Sequence, residues 1–388
     1  MILCSAERKI LKKFLEEFNQ SPEFLVQAPG RVNLIGEHTD YNDGYVLPIA
    51  IDRVVSIALS AISEPEIRLV SLDFEQRITI SLVNKLTKGN GWPEYLKGLI
   101  DVYKKNSLEL IGWQGIIAGN VPVGAGLSSS AALELAFSRA FASVSNWKWE
   151  PKRMAQFSQQ AENEWVGINC GVMDQMISAL GKKDHVLFLD CRSLEGINVP
   201  LPKSVRIVIL DTDTRRELLD SAYNDRRIQC ESAAKYFGVK ALRDLSIETL
   251  EKAKSNLTPI EFKRAHHVIQ ENKRVIDCVE ALRMESLEKV GELMIASHKS
   301  LRDDFEVSSQ ELDLIVDYSV NAPGCYGARM TGAGFGGCAV ALVDEKYIDK
   351  FVSKVSKNYN LSTGKKSKLY VCKATEGASI FSKNDFII

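Results

Sequence analysis

The sequence predicts an α+β protein with two domains, each built around its own sheet. Its 388 residues are more than one hydrophobic core usually spans. Short β-branched runs in the first half predict strands, and after Pro202 the strand pattern restarts with the apolar run 205–210. Charged amphipathic segments between residues 218 and 301 predict several helices. We therefore expect domains at residues 1–202 and 203–388.

Individual elements can be placed within each half. In the first half, strand-forming residues predict short strands at 24–27, 54–59, 67–70, 77–80 and 115–118. A helix is predicted at 131–145 because a run of serines suited to an N-cap precedes it, and another at 152–164 because Pro151 fits its first turn. In the second half we expect strands at 205–210, 337–343 and 368–372, with a helix at 347–359.

Charge and cysteine content exclude several classes of function. The 49 Lys and Arg residues balance 50 Asp and Glu residues, so bulk attraction to nucleic acid or to an anionic membrane is not expected. Uninterrupted apolar runs are far shorter than the roughly 20 residues that cross a bilayer. The eight cysteines form no CxxC pair, and residues 10–18 have the spacing of an amphipathic helix. These features favour a cytoplasmic protein.

A charged segment rich in glycine follows the first predicted strand. Glycines at 30, 36 and 44 predict a loop, and the apolar residues on both sides of it favour a partly buried setting. The charged side chains of this segment are those of Arg31, Glu37, His38, Asp40 and Asp43. Carboxylates and imidazole form strong hydrogen bonds with hydroxyl groups, so the set suits a neutral polyol. A solvated turn is the alternative interpretation.

A second glycine-containing segment, residues 119–134, joins a predicted strand to a predicted helix. Glycines allow close approach of phosphate oxygens, and the N–H groups of a first helical turn bind anions. Three consecutive serines add hydroxyl groups that could donate hydrogen bonds or bind Mg²⁺. No Gly-Lys-Ser/Thr follows the glycines, so this is not a Walker A loop. A flexible turn with a serine cap is the alternative.

Two further segments are less specific when taken alone. Residues 332–337 hold four glycines, which indicate either close backbone approach to a ligand or a tight structural bend. In residues 160–175, Glu162 lies near a predicted helix end and Asp174 follows Gly171. A single carboxylate of this kind is more often a surface charge than a catalytic group.

Together these segments resemble the three ordered motifs of the GHMP small-molecule kinases. More narrowly, residues 30–44, 170–175 and 297–308 are similar to the members that phosphorylate galactose. The resemblance extends from about residue 24 to about residue 377. It implies an N-terminal domain like ribosomal protein S5 domain 2, a ferredoxin-like C-terminal domain, and an active site in the cleft between them.

The resemblance also implies an activity. In this family the γ-phosphoryl group of ATP is transferred to the anomeric hydroxyl of α-D-galactose, with Mg²⁺, giving galactose 1-phosphate and ADP. A kinase acting on N-acetylgalactosamine, arabinose or galacturonate is the nearest rival. A non-catalytic galactose sensor is a more distant alternative. Such a sensor is expected to have lost residues of the phosphate loop or the carboxylates, and this sequence keeps both. We expect a monomer that binds only these small molecules.

Residue roles follow from the same resemblance. Asp174 matches the catalytic carboxylate and Arg31 its arginine partner. A carboxylate beside a guanidinium is a weak base, so we favour the hypothesis that Asp174 mainly orients the sugar hydroxyl. The implied sugar-binding residues are Glu37, His38, Thr39, Asp40, Gly171 and Tyr223. The implied nucleotide-binding residues are Ser71, Trp92, Gly124, Ala125, Gly126, Leu127, Ser128, Ser129 and Ser130. The implied Mg²⁺ ligands are Ser130 and Glu162. Residues 211–218 depart from the family pattern upstream of Tyr223.

Overall fold

The computed structural model describes residues 5–122, 124, 126–168, 170–214 and 219–386. Within these residues the helices are α1 (Ser5–Phe18), α2 (Pro93–Lys105), α3 (Ser129–Val144), α4 (Pro151–Ala161), α5 (Met173–Leu180), α6 (Leu219–Tyr236), α7 (Ile247–Lys252), α8 (Pro259–Arg283), α9 (Leu287–Asp303), α10 (Gln310–Val320) and α11 (Ile348–Thr363). The strands are β1 (Phe24–Asn33), β2 (Tyr45–Val46), β3 (Pro48–Ala61), β4 (Glu66–Ser71), β5 (Gln76–Ser81), β6 (Trp113–Gly119), β7 (His185–Asp190), β8 (Glu195–Pro200), β9 (Val205–Asp211), β10 (Cys325–Thr331), β11 (Cys338–Asp344), β12 (Lys368–Cys372) and β13 (Ser379–Ser382).

The strands form three sheets. The largest has six strands in the order β13-β1-β3-β6-β4-β5, and only the β4–β6 pair in it is parallel. The second, in the order β10-β11-β9-β12, is antiparallel throughout. A small sheet of β2, β7 and β8 completes the set. The arrangement confirms the predicted α+β class with sheet in both halves.

The hydrophobic core is continuous from one large sheet to the other. On β9, Ile207 and Ile209 join the cluster that contains the residues of β1 and β3, whereas Val208 and Leu210 pack in the cluster of the second half. Alternating residues of a strand point to opposite faces, so β9 is buried on both sides. This explains why its central residues, 207–210, are an uninterrupted apolar run.

Most predicted elements are confirmed, and two predictions are wrong in detail. The charged segment was expected to be a loop from residue 28 onward, but residues 28–33 continue β1 and pair with β3. Long-range pairing outweighs the turn propensity of Pro29 and Gly30 here, and the ladder accommodates them with a register shift between Pro29 and Arg31. The helix predicted at 152–164 ends at Ala161 and continues as the π-helical turn Glu162–Val166.

The predicted division of the chain near residue 202 stays a prediction. Pairing between the two halves runs across this division, because β13 near the end of the chain pairs with β1 over the register Phe24↔Ser382 to Gln27↔Ser379, and Ile51 forms a bridge with Ala374. A membrane span requires a long apolar helix, and none of the helices in the described part of the chain meets that requirement.

Candidate active site

The candidate site consists of two adjoining cavities. The smaller cavity has a volume of about 310 Å³, and the larger one about 720 Å³. They meet along one chain segment, because Val166 lines the larger cavity and Gly167 lines the smaller. The predicted residues on the smaller cavity are Arg31, Glu37, His38, Asp40, Gly171, Asp174 and Tyr223. Those on the larger cavity are Ser71, Trp92, Ser129 and Ser130.

An arginine and an aspartate from distant parts of the chain form the centre of the site. Arg31 on β1 donates from Nε and Nη2 to the two carboxylate oxygens of Asp174, at 2.7 and 2.6 Å. Its third nitrogen, Nη1, donates to the backbone carbonyl of Gly126 at 2.5 Å. Burial alone would lower the pKa of Arg31, but the carboxylate of Asp174 raises it overall. Such a two-pronged pair fixes both side chains in one orientation.

The serine before α3 completes this centre. Ser128 occupies the N-cap position with φ 53°, yet its side chain makes no capping hydrogen bond. Its hydroxyl group instead donates to Asp174. A serine occupies the N-cap position, as the run of serines predicts, but the Ser128 hydroxyl bonds the Asp174 carboxylate and does not cap the helix. Asp174 therefore accepts three hydrogen bonds, two from Arg31 and one from Ser128.

The loop of residues 34–44, called here the charged loop, supplies acceptors to the smaller cavity. Glu37 is 3% exposed, and its carboxylate accepts hydrogen bonds from the backbone N–H of Gly332 at 2.8 Å and the hydroxyl of Thr331 at 2.9 Å. Burial raises the pKa of Asp40 to about 6, and the nearby carboxylates of Asp174 and Glu37 contribute to this rise. The cavity wall is therefore rich in carboxylate oxygens.

His38 on the same loop is neutral, and both of its ring nitrogens are hydrogen-bonded to protein atoms. Its Nε2 lies 3.2 Å from the carbonyl of Ala333, and its Nδ1 lies 2.9 Å from the hydroxyl of Tyr41. A carbonyl only accepts, so Nε2 carries the proton and Nδ1 accepts from Tyr41. Burial lowers the pKa of His38 to about 3. The rings of His38 and Tyr223 are 5.7 Å apart, and burial raises the pKa of Tyr223, which keeps its hydroxyl protonated.

Of two further residues predicted to bind the sugar, one lines the smaller cavity and the other does not. Gly171 lies against Asp40 so closely that a Cβ there would be 2.1 Å from a carboxylate oxygen of Asp40. Thr39 does not line the cavity among the described residues. Its hydroxyl lies 2.8 Å from the Gly36 carbonyl and 2.7 Å from that of Tyr45, so it braces the charged loop from behind.

The larger cavity has aromatic walls. Trp92 donates from Nε1 to Gln76 at 2.9 Å, and its ring is nearly parallel to that of Phe74, with centroids 6.2 Å apart. Phe74 is 56% exposed and the sequence analysis missed it, as it missed Trp165 on the same cavity. No spacing signal could have found either residue, because a single aromatic outside a motif is normally a packing residue.

The serine loop comprises residues 120–128, of which Val121 lines the larger cavity while Gly126 and Ser128 contact the Arg31–Asp174 pair of the smaller one. Gly124 and Gly126 have φ values of 71° and 72°. Leu127 is 1% exposed, and its carbonyl accepts from the backbone N–H of Arg31 at 3.1 Å, so Leu127 anchors the loop and faces the core. Ala125, predicted to bind nucleotide, lies outside the described residues.

The third glycine segment, residues 332–337 and called here the glycine loop, packs against the serine loop. Gly332, Gly334, Gly336 and Gly337 all have positive φ, which favours glycine. A Cβ at Gly334 would lie 2.3 Å from the carbonyl of Val307. The segment is therefore a tight bend held by packing, and it shares a small cavity of about 80 Å³ with Gly124 and Gly126.

A second group of carboxylates lies beside Ser130. Glu162, at the start of the π-helical turn, is 5% exposed and accepts from Gln175 at 2.7 Å. Burial raises the pKa of Glu162, and Asp174 raises it further, while hydrogen bonds from Cys170 and Ser130 oppose the rise. The same Gln175 amide donates to Glu134 on α3 at 3.3 Å, and burial raises the pKa of Glu134 strongly. Glu134 and Gln175 were missed because each contact joins distant parts of the chain.

Comparison with known proteins gives a consistent result. Residues 12–61 match the galactokinase galactose-binding signature, residues 94–182 the N-terminal domain of GHMP kinases, and residues 278–361 the GHMP kinase C-terminal domain. Lactococcus lactis galactokinase, solved with galactose, superposes with a TM-score of 0.90 at 34% identity, covering 95% of this chain and 98% of that one. Methanococcus jannaschii mevalonate kinase shares the fold at 18% identity, with a TM-score of 0.68, over 91% of this chain and 99% of that one.

The fold and the motifs together define a GHMP kinase with two domains of the predicted kinds. Identity over nearly the whole chain then narrows the class. The protein belongs to the galactokinase family and is a sugar kinase.

The close contact at Gly171 yields a prediction. Gly171→Ala should displace the Asp40 carboxylate, because a Cβ cannot lie 2.1 Å from one of its oxygens. We expect the KM for the sugar to rise about 10- to 100-fold, since a hydrogen bond to a charged group is weakened. Gly364→Ala at the C-terminal end of α11, outside both cavities, is a control for loss of stability alone: its Cβ would meet no atom within 4 Å, but its φ of 70° disfavours alanine. Steady-state kinetics with varied sugar measure the effect, and equal KM values for Gly171→Ala and the parent would contradict it.

Proposed function

We propose that the protein transfers the γ-phosphoryl group of ATP to the anomeric hydroxyl of α-D-galactose, giving galactose 1-phosphate and ADP. The observation that carries this proposal is the position of the Arg31–Asp174 pair. Asp174 and Arg31 line the smaller, carboxylate-rich cavity, while Ser128, which donates to Asp174, leads directly into Ser129 and Ser130 on the larger cavity. A sugar hydroxyl and a terminal phosphate held in the two cavities would meet beside Asp174.

In this proposal Asp174 and Arg31 are the catalytic residues. Phosphoryl transfer leaves the protein mainly positioning and charge neutralisation to perform. Asp174 accepts a hydrogen bond from the anomeric hydroxyl, orients it for attack, and takes its proton as the O–P bond forms. Arg31 holds the carboxylate in one direction and keeps positive charge beside the transferring group. The three hydrogen bonds that Asp174 already accepts fix the direction of its carboxylate, which favours a role in orienting the hydroxyl.

The smaller cavity is the proposed galactose site. Asp40 and Glu37 would accept from sugar hydroxyls, and Tyr223 would contact the ring, with the backbone at Gly171 beside them. His38 would shape the wall, since both of its nitrogens are already bonded to protein atoms. Thr39 would act only through the charged loop that it braces.

The larger cavity is the proposed nucleotide site. Trp92 and Ser71 would contact the base and ribose of the nucleotide. Phe74 adds a second aromatic ring, nearly parallel to that of Trp92. The serine loop, from Gly124 through Ala125, Gly126, Leu127 and Ser128, would surround the phosphates. Ser129 and Ser130 open α3, whose first-turn N–H groups favour anions.

The residues beside Ser130 fit a magnesium ion. Mg²⁺ prefers oxygen ligands and is usually held by one or two carboxylates together with substrate phosphates. Ser130 and Glu162 offer a hydroxyl and a carboxylate next to the proposed phosphate site, and the raised pKa of Glu162 marks a place where a cation would relieve crowded negative charge. When bound, the ion neutralises charge on the β- and γ-phosphates. Gln175 keeps the Glu162 carboxylate in position.

We also propose that the protein acts as a monomer in the cytoplasm, with domains divided near residue 202. Both cavities are lined by residues of a single chain, so a second copy is not needed to complete the site. Cys170 on the smaller cavity is a free thiol, which suits a reducing compartment. The net charge of −1 gives no bulk electrostatic attraction to nucleic acid or to an anionic membrane, so we propose small molecules as the binding partners.

The proposed reaction is tested with a panel of sugars. We expect release of one ADP per sugar consumed with galactose and MgATP, and a kcat/KM for galactose at least about tenfold above that for N-acetylgalactosamine, arabinose or galacturonate. Coupled ADP detection and identification of the sugar phosphate measure both. A higher kcat/KM for another sugar would reassign the substrate, and galactose binding without ADP release would indicate a sensor.

Asp174→Asn tests the catalytic assignment. The amide keeps the shape of the side chain but loses the negative charge that accepts the proton, so kcat should fall by at least about 10²-fold. Asp349→Asn on the exposed surface of α11 is the matched control and should leave kcat unchanged. Single-turnover measurements with saturating substrates report the chemical step. Turnover of Asp174→Asn near the parent value would overturn the assignment.

Glu162→Gln tests the metal assignment. Loss of one carboxylate ligand should raise the Mg²⁺ concentration for half-maximal activity about 10- to 100-fold. Direct binding of Mn²⁺ to the enzyme–nucleotide complex, followed by electron paramagnetic resonance, should weaken in parallel. Glu164→Gln, on the same π-helical turn but half-exposed, is the control. If the metal titrations of Glu162→Gln and the parent superimpose, Glu162 is not a ligand.

A further inference from the structure

A buried arginine on β10 lies behind the charged loop and belongs to neither cavity. Arg329 is 0% exposed, and its Nη1 lies 3.4 Å from the carbonyl of Asn33 and 3.5 Å from a carboxylate oxygen of Glu37. Its Nη2 lies 3.9 Å from a carboxylate oxygen of Glu271 on α8. The guanidinium therefore stands between two buried carboxylates, one from each half of the chain.

Glu271 holds the charged loop by its backbone. It is 0% exposed and accepts from the N–H of Gly36 at 3.0 Å, from the Ser297 hydroxyl at 2.6 Å and from Arg274 at 2.6 Å. Burial alone would raise the pKa of Glu271, but Arg274 and other cationic neighbours, Arg329 among them, hold it at about 2. Glu271 is therefore ionised.

The neighbouring residue of the charged loop is held from the same side. The Glu37 carbonyl lies 3.1 Å from His267 Nε2 on α8, while its carboxylate accepts from the Thr331 hydroxyl and the Gly332 N–H. Thr331 is two residues after Arg329 on β10. The second half of the chain thus holds both the backbone and the carboxylate of Glu37, the residue proposed to accept from a sugar hydroxyl.

We propose that Arg329 is a positioning residue for sugar binding, which holds the Glu37 carboxylate aimed into the smaller cavity. The inference rests on the proposed function, because it assigns Glu37 to the sugar. Two carboxylates taken out of water near one another repel, and a buried charge left without its partner is strongly unfavourable. Without the guanidinium, the Glu37 carboxylate would turn away from Glu271. That movement would displace an acceptor from its position in the cavity.

Sugar and nucleotide should therefore respond differently to the loss of Arg329. Glu37 lines the smaller cavity only, and none of the contacts described for Arg329 reaches the larger cavity. A residue that merely stabilised the fold would lower stability or change both substrate affinities together. A positioning residue for Glu37 changes the KM for galactose and spares the KM for ATP.

Arg329→Met, Arg329→Lys and a matched control test this inference. The control is Arg206→Met, which removes another buried arginine paired with a glutamate, on β9 of the same sheet and outside both cavities. For Arg329→Met we expect the galactose KM to rise about 10- to 100-fold, with the ATP KM within about twofold. Calorimetric titration with galactose alone should show the same loss without turnover.

The conservative variant keeps the result interpretable if Arg329→Met fails to fold. Lysine retains the charge but cannot span two carboxylates. The galactose KM of Arg329→Lys should therefore lie between those of the parent and Arg329→Met, roughly threefold or more above the parent. Arg206→Met should lower the melting temperature and leave the galactose KM unchanged. A folded Arg329→Met or Arg329→Lys with the parent galactose KM, or a parallel rise in both KM values, overturns the inference. Failure of the parent to phosphorylate galactose would instead refute the proposed function.

Discussion

The bidentate contact between Arg31 and Asp174 is the interaction on which the site depends. It joins a strand of the six-stranded sheet to the first turn of α5, over 143 residues of sequence. The same guanidinium bonds the Gly126 carbonyl, so one side chain fixes the carboxylate and the serine loop together. The two cavities meet there because these three elements are locked in one geometry.

Crowded, buried negative charge is the second constraint, and it explains why several carboxyl groups of the site have raised pKa values. Asp40, Glu134 and Glu162 all have raised pKa values, with burial the largest cause in each case. Arg31 pairs with Asp174 inside the site, and Arg329 lies behind the charged loop between Glu37 and Glu271. A surplus of carboxylates over cations is unfavourable in the free protein. In the proposed function this surplus becomes useful, because sugar hydroxyls and a divalent ion would bind beside these carboxylates.

The sequence predicts the fold better than it predicts the site. The apolar residues of β9 can be recognised because both faces of that strand are buried. The glycine pattern instead predicts a loop where residues 28–33 pair with β3, because a turn signal is local and strand pairing is not. The roles of Arg31 and Asp174 came from the family resemblance, since no periodicity links residues so far apart. Gln175 and Arg329 carried no signal, because their importance lies in contacts between distant segments.

The acceptor-rich wall also bears on which sugar the smaller cavity admits. Glu37, Asp40 and Asp174 are close enough to perturb one another electrostatically, and each offers oxygens that accept from hydroxyl donors. A neutral hexose presents such donors at most of its carbons. A sugar acid would add a further negative charge to this group, and like charges at short distance in a buried site cost several kcal/mol. The charge pattern therefore favours galactose over galacturonate without any contact specific to C6, and it leaves only neutral sugars to be distinguished by shape.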